Sequence, residues 1–416
     1  MTTRATAFNS PTNNVTSRYL IPILSPRSNK DDRLEGGLQP SNVGGTKVFA
    51  WKTFAISTGS GIHVYMFNNR GPSPEYELRA LRSLDVLLDE ACGGRKDTLF
   101  LSFSTARERW GSDHGWQDEG VYAWITANYL LGTIKASTPP DTPTYAVLDL
   151  GGASTQIVFE PVLASSDMQL EEGEHKCDLQ FGGRNLVLYQ HSYLGYGLMC
   201  ARRHVHRLAD LMSTLQGMKP KAVAGNPCLA KGTRRVVIVK DEVTGEERKV
   251  TMDGGDIGSF EACVRVVQFV LAKDAICELK PCSFNGVYQS SLLSSFPNGK
   301  VLLSYFYDRL SPLLPLSSSS PITISTIAST ARQVCKGRDE WLRNHWATDS
   351  ELMAPELTDR PEWCLNLTFM HALLRLGYEF EDGREVPIGK EIGGTKLGWC
   401  LGATIVMVGG ELKCRI

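Results

Sequence analysis

The spacing of apolar residues along this chain changes character near residue 46. Residues 1–45 are rich in Ser, Thr, Asn, Pro and Gly and carry no apolar period. Such a composition buries too little apolar surface to offset chain entropy, and it predicts a disordered leader. The run Ile62-His63-Val64-Tyr65-Met66-Phe67 alternates and is β-rich, which predicts a strand after the turn Ser57-Thr58-Gly59-Ser60-Gly61. Apolar positions at helical spacing over residues 76–93 predict a helix, and Leu99–Phe103 reads as a short strand. Glu119–Leu131 is apolar and aromatic almost throughout, the pattern of a buried helix. Tyr145–Leu150 and Thr155–Phe159 read as strands joined by the tight turn Gly151-Gly152-Ala153-Ser154, giving a hairpin with a polar tip. Further on, residues 239–256 read as an exposed hairpin or loop, Leu313–Ser320 as a Pro/Ser linker and Trp363–Tyr378 as a helix, while Trp399–Met407 is small and apolar.

There is no solenoid repeat, but one internal echo. Ser57-Thr58-Gly59-Ser60 and Gly151-Gly152-Ala153-Ser154-Thr155 are both Gly/Ser/Thr turns leading into strands. Two related domains, each presenting one such loop, would produce it. A length of 416 residues, too many for one core, points the same way.

Composition narrows the partners. With 42% hydrophobic and 21% charged residues the chain is ordinary for a globular protein. A net charge of -1 gives no global positive field for nucleic acid or an anionic membrane, so any phosphate recognition must be local. Eleven cysteines with no CxxC pair favour disulfides over a zinc site, and the odd count leaves at least one thiol unpaired. Asn14-Val15-Thr16 and Asn366-Leu367-Thr368 match the glycosylation sequon. The first 45 residues show no signal-peptide order, and no apolar run approaches the ~20 residues that span a bilayer.

The candidate chemistry sits in the second glycine turn. Glycines let the backbone approach an anion, and successive N–H groups form a nest for phosphate oxygens. Ser154 and Thr155 add hydroxyls, Gln156 can orient a water, and Asp149 can hold a divalent cation through its waters. A plain hairpin with a capping Asp explains the same residues. Glu119 opens its helix, which suits a helix N-terminus electrostatically or a general base that activates water.

Joint occurrence separates these readings. DEGVYAWITANYLLG at 118–132, AVLDLGGASTQIVFEP at 146–161, YQHSYLGYGL at 189–198, NPC at 226–228, CSFNGVYQ at 282–289 and GWCLGA at 398–403 follow one another in this order. Together they resemble the apyrase-type nucleoside phosphatases, from about residue 46 to the C-terminus, and lean toward the Golgi guanosine diphosphatases.

The resemblance implies an α/β fold of two actin-like, ribonuclease-H-like domains with a cleft between them: 46–116 plus 395–416 forming the first and 117–394 the second. It implies hydrolysis of nucleoside diphosphates, GDP or UDP, supporting glycosylation in the Golgi lumen. A divalent cation (calcium, magnesium or manganese) is the implied cofactor, and a membrane anchor, typical of the family, is not visible in this chain. By motif position Glu119 is the base, and Ser154 and Gln156 hold the attacking water. Asp149 holds the metal's water shell. Gly151, Gly152 and Ala153 form one phosphate loop, with Ser57, Thr58 and Gly59 on the other and Thr105 on a partial remnant of the motif after it. Phe306 and Trp363 grip the base. The implied disulfides are Cys228–Cys263, Cys277–Cys282 and Cys335–Cys364. The first loop departs from the family: Phe54 stands for a metal-associated Asp, Ile56 for a Gly and Gly61 for an Arg. A catalytically impaired nucleotide-binding homologue is therefore a second expectation.

Overall fold

In the computed structural model the chain divides into two compact units, Met1–His114 and Gly115–Ile416. The structure describes residues 118–161, 170–217, 221–240, 245–289, 300–314, 322–344, 346, 357, 360–409 and 411–414, together with six short strands between residues 19 and 77.

Those strands are β1 (Tyr19–Ile23), β2 (Asn42–Val43), β3 (Thr46–Lys47), β4 (Lys52–Thr58), β5 (Gly61–Asn68) and β6 (Glu75–Glu77). Four form an antiparallel sheet in the order β1-β4-β5-β6. The strand expected over 62–67 is present as β5. The predicted turn before it is tighter than the sequence suggests, because Ser57 and Thr58 still belong to β4 and Thr58 pairs with Gly61. β1 and β6 are additions: β1 falls inside the expected leader, and β6 occupies the start of the helix expected from 76, where pairing with β5 prevails over local helical spacing. The rest of that helix, the strand at 99–103 and Asn14 lie outside the described residues.

The second unit is built on a six-stranded sheet ordered β14-β7-β8-β10-β9-β19. Its strands are β7 (Ala146–Leu150), β8 (Ser154–Phe159), β9 (Lys176–Phe181), β10 (Arg184–Leu194), β14 (Lys300–Ser304) and β19 (Glu411–Cys414), and between the last two in sequence lie the short pairs β15 (Ile322–Thr323) with β16 (Glu385–Val386) and β17 (Glu391–Ile392) with β18 (Thr395–Lys396). β14 runs parallel to β7 and the remaining neighbours are antiparallel. A side sheet joins β11 (Val223–Gly225), β12 (Arg234–Lys240) and β13 (Glu247–Asp253), so the region expected as a hairpin or loop at 239–256 is the β12–β13 pair.

Eight helices among the described residues cover these sheets: α1 (Asp118–Leu130), α2 (Leu198–Gly217), α3 (Phe260–Leu271), α4 (Tyr305–Leu310), α5 (Ile324–Cys335), α6 (Arg338–Arg343), α7 (Trp363–Ala372) and α8 (Trp399–Gly409). The predicted helix 363–378 is α7 continued by a π-helical turn, Leu373–Gly377.

Strand alternation assigns the two faces of the main sheet. Leu148, Leu150, Ile157, Phe159 and Tyr189 face a core shared with α2, α3, α5 and α7. Val158 and its neighbours on the opposite face meet α1. α7 is buried at every position from Trp363 to Ala372. That burial includes Asn366 and Thr368, at 1% and 0% exposure, so the second sequon is no glycan acceptor.

The described residues of the C-terminal segment, α8 and β19, pack within the second unit. α8 lies along α1, with Gly402 N–H donating to Thr126 Oγ1 at 2.8 Å, and β19 pairs with β9. The physical reason is burial. α8 carries Leu401, Ala403 and Ile405, all nearly inaccessible, and α1 offers an apolar surface to cover them.

Four disulfides staple this unit: Cys228–Cys263, Cys277–Cys282, Cys335–Cys364 and Cys177–Cys414. The first three are the pairs the resemblance implied. The fourth joins facing positions of β9 and β19. Cys200 and Cys400 are buried thiols.

Candidate active site

The site grows from the β7–β8 hairpin. Register places Asp149 opposite Gln156, and alternation puts Ser154 and Gln156 on one face with Asp149. Gln156 Nε2 donates to Ser154 Oγ at 2.7 Å and reaches Ser192 Oγ on β10 at 3.4 Å. All of Ser154, Thr155 and Gln156 are buried, so a polar row is held by internal bonds where apolar residues would otherwise sit. Thr155 Oγ1 donates to the Asp149 carbonyl at 2.9 Å, which ties the hydroxyl to the backbone and fixes the strand end that carries the carboxylate.

The start of α1, which carries Glu119, packs on the same face. A Cβ on Gly120 would stand 3.0 Å from Gln156 Cβ and 3.2 Å from Val158 Cγ2. The first turn of the helix therefore rests directly on Gln156, and only a residue without a side chain permits that approach. Glu119 precedes this contact by one residue. One helix start and one hairpin thus carry Glu119, Asp149, Ser154 and Gln156.

The turn itself is held from behind. The carbonyls of Gly151, Gly152 and Ala153 accept from N–H groups of residues 195–200, among them Leu198 to Gly151 at 2.9 Å, Met199 to Gly152 at 2.9 Å and Gly195 to Ala153 at 2.9 Å. These donors are the last residues before α2 and its first turn. Gly151 N–H bonds the Ser154 carbonyl at 3.0 Å, and among the described residues the N–H groups of Gly152 and Ala153 make no backbone hydrogen bond. The turn thus spends its acceptors inward and keeps donors for a ligand, the arrangement of an anion nest.

Gly152 and Ala153 border a cavity of about 540 Å³ lined also by Arg202, Arg203, Arg235 and Glu362. Arg202 Nε donates to Asn366 Oδ1 at 2.8 Å, and Arg235 Nε lies 3.1 Å from Glu362 Oε1. His206, also on this wall, is bonded to Asn226 Nδ2 through Nδ1 at 3.0 Å. Burial, and then the charges of Arg202 and Arg235, pull its pKa down to about 4.

Phe306 and Trp363 are closed off from solvent among the described residues. They are core side chains at 0% and 2% exposure. The aromatic that reaches the turn is Tyr305, whose Cε2 lies 4.0 Å from where a Gly152 Cβ would stand. The Arg309 guanidinium covers both the Tyr305 and the Trp363 rings, at 5.3 and 5.1 Å. Tyr305, Arg202, Arg235 and Glu362 were missed by sequence reasoning. The usable signal was a Glu directly before an uninterrupted buried helix. Ser57 and Thr58 end β4 in the first unit, and Gly59 and Thr105 lie outside the described residues.

Among the described residues no three His, Cys, Asp or Glu side chains converge as a metal site. The donors on this face are oxygen atoms: the Asp149 carboxylate, the Ser154 hydroxyl and the amide oxygen of Gln156. Such a set fits a hard cation that keeps most of its waters and shares substrate phosphate oxygens. Among the described residues no helix is long and apolar enough to cross a membrane.

The chain is similar to known proteins. Residues 114–415 match the GDA1/CD39 (nucleoside phosphatase) family. A probable guanosine-diphosphatase of Aspergillus fumigatus is 38% identical, over 87% of this chain and 86% of its own length. The guanosine-diphosphatase of Schizosaccharomyces pombe is 35% identical, over 85% and 72%. A solved nucleoside triphosphate hydrolase structure from Neospora caninum aligns over 70% of this chain and 64% of its own, with a TM-score of 0.49 and 15% identity.

Proposed function

We propose that this chain, which belongs to the GDA1/CD39 nucleoside phosphatase family, hydrolyses nucleoside diphosphates to monophosphate and phosphate. The reading is supported by the packing of the first turn of α1, at Gly120, on Gln156 of β8, beside a turn whose carbonyls are all tied down. The relatives named guanosine-diphosphatase make GDP the first substrate to try, with UDP next.

The residues divide the work. The N–H groups of Gly152 and Ala153 cradle oxygens of the terminal phosphate, with Gly151 shaping the turn. Ser154 Oγ and the Gln156 amide hold a water in line with the terminal phosphorus. The Glu119 carboxylate takes that water's proton as its oxygen bonds to phosphorus, and the bond to the bridging oxygen breaks, releasing the nucleoside monophosphate. Asp149 would hold a divalent cation through its waters. When bound, that ion supplies charge neutralisation on the phosphate oxygens. The phosphate-binding roles of Ser57, Thr58, Gly59 and Thr105 rest on motif position alone. Base contacts by Phe306 and Trp363 require that their rings become exposed.

A Golgi-lumenal setting belongs to the same reading and is supported by the disulfides, which persist in oxidising compartments. The test is phosphate release from GDP with calcium or magnesium present. Release should fall at least about a thousandfold in Glu119→Gln and stop with chelator. Folded protein that releases phosphate equally well with Gln at 119 overturns the assignment of the base.

A second reading, a nucleotide-binding homologue with impaired turnover, is favoured by Phe54, Ile56 and Gly61 in the first loop. Phe54 and Ile56 both lie within β4 and are paired on either side, to β1 and β5.

A further inference from the structure

We infer that Ser192 is a positioning residue: from β10 it fixes the plane of the Gln156 amide against the attacking water. This rests on the reading above, in which Ser154 and Gln156 hold that water.

Register sets three polar side chains in one row. Gln156 of β8 pairs with Asp149 of β7 on one side and with Ser192 of β10 on the other. Directly paired residues point to the same face and stand within reach of each other. Gln156 is 4% exposed, and the first turn of α1 rests on it at Gly120. A glutamine buried there cannot turn to bulk solvent for its hydrogen bonds, so its protein partners set the amide. Strand propensity does not call for a serine at 192, since β-branched residues suit a strand better.

The amide has two hydrogens and one oxygen to place. Nε2 donates to Ser154 Oγ at 2.7 Å and to Ser192 Oγ at 3.4 Å. The bond to Ser154 alone fixes one point and leaves the amide free to turn about its last side-chain torsion, which is broad for glutamine. The second acceptor, on the neighbouring strand, fixes the plane. With Nε2 engaged twice, Oε1 is the amide atom that meets the water, and it accepts one of the water's two hydrogens. The other hydrogen goes to the base, one lone pair goes to phosphorus, and the remaining lone pair accepts from the Ser154 O–H. A turned amide would offer N–H to the water and occupy a lone pair that the attack needs.

The experiment is steady-state phosphate release from GDP by the full chain in magnesium. In Ser192→Ala, kcat should fall about fivefold or more while KM stays within about twofold, because the phosphate turn is untouched and only the water loses alignment. The effect should vanish where Gln156 is already gone: Gln156→Ala with and without Ser192→Ala should agree within about twofold. Ser192→Thr and Ser192→Val share one shape and differ by a hydroxyl. That pair carries the test if Ser192→Ala fails to fold, with kcat about fivefold or more higher for threonine than for valine. Melting curves by circular dichroism establish that each variant is folded. Native kcat in folded Ser192→Ala, a change confined to KM, equal rates for the threonine and valine variants, or losses that simply multiply in the double variant each overturn the inference and leave the reading above standing. Native kcat in folded Gln156→Ala removes the role of Gln156 and this inference with it. Folded wild-type protein that releases no phosphate removes the whole hydrolytic reading and the inference together.

Discussion

Gly197 lies so close behind the Gly151–Ala153 turn that a Cβ on it would stand 2.4 Å from the backbone nitrogen of Ser154. The same atom would meet the carbonyl carbons of Gly152 and Ala153 at 2.5 Å. Because these neighbours are backbone, no rotamer change relieves the clash. Gly197→Ala must move the turn itself. We expect a stability loss of about 1–3 kcal/mol, as for other overpacked sites. We also expect nucleotide affinity to fall at least about tenfold, since the amide nest is displaced. Chemical denaturation and GDP titration of the variant check both, and native affinity would show that the turn does not hold phosphate.

Gly120 offers a way to separate chemistry from binding. In Gly120→Ala the new methyl presses on Gln156 Cβ and Val158 Cγ2, so the start of α1 shifts by a few tenths of an ångström relative to Gln156. Alanine's better helix propensity, about 1 kcal/mol, offsets part of the strain. Turnover should fall about tenfold or more with KM little altered, because Glu119 and the held water lose alignment while the phosphate turn is untouched. Steady-state kinetics on GDP reads the split, and a change confined to KM counts against the placement of Glu119 beside Gln156.

The first loop can be repaired. Phe54→Asp with Gly61→Arg supplies the two charged residues that the resemblance implies at these positions, where this chain has Phe and Gly. An Arg–phosphate contact is worth about 1.5–3 kcal/mol, which corresponds to roughly 10- to 150-fold in kcat/KM. Phosphate release from GDP by the double variant should rise by at least the lower figure. A rise below about twofold would show that these replacements do not limit the reaction.

His206 makes stability depend on pH. Its folded pKa is about 4 against 6.5 for the free side chain, from burial first and then from Arg202 and Arg235. Between those two values the unfolded chain takes up a proton that the folded chain refuses. The contribution is therefore complete above about pH 6.5 and is lost as pH falls toward 4, at up to about 1.4 kcal/mol per pH unit. His191 and His371, also lowered to about 4, act in the same direction. In His206→Gln, which keeps a partner for Asn226, melting temperature should fall less steeply between pH 6.5 and 4. Coincident slopes for the two proteins would rule out this histidine as a source of the acid sensitivity.

Local pattern by itself determined the helix at Glu119, the hairpin around Gly151–Ser154 and the strand at 62–67. In each, apolar period and glycine placement act over a few neighbouring residues, and that physics is written in order along the chain. The motif set determined the family and three of the disulfide pairs. Tertiary structure alone decided where α8 and β19 go, since an all-apolar helix carries no face that says which partner will cover it. It alone decided that Phe306 and Trp363 are core and that Asn366 answers Arg202 rather than a glycan, because burial depends on elements far away in sequence. It also joined Arg235 on β12 to Glu362 ahead of α7, a pairing that no periodicity records, because Coulomb attraction acts through space and not along the chain.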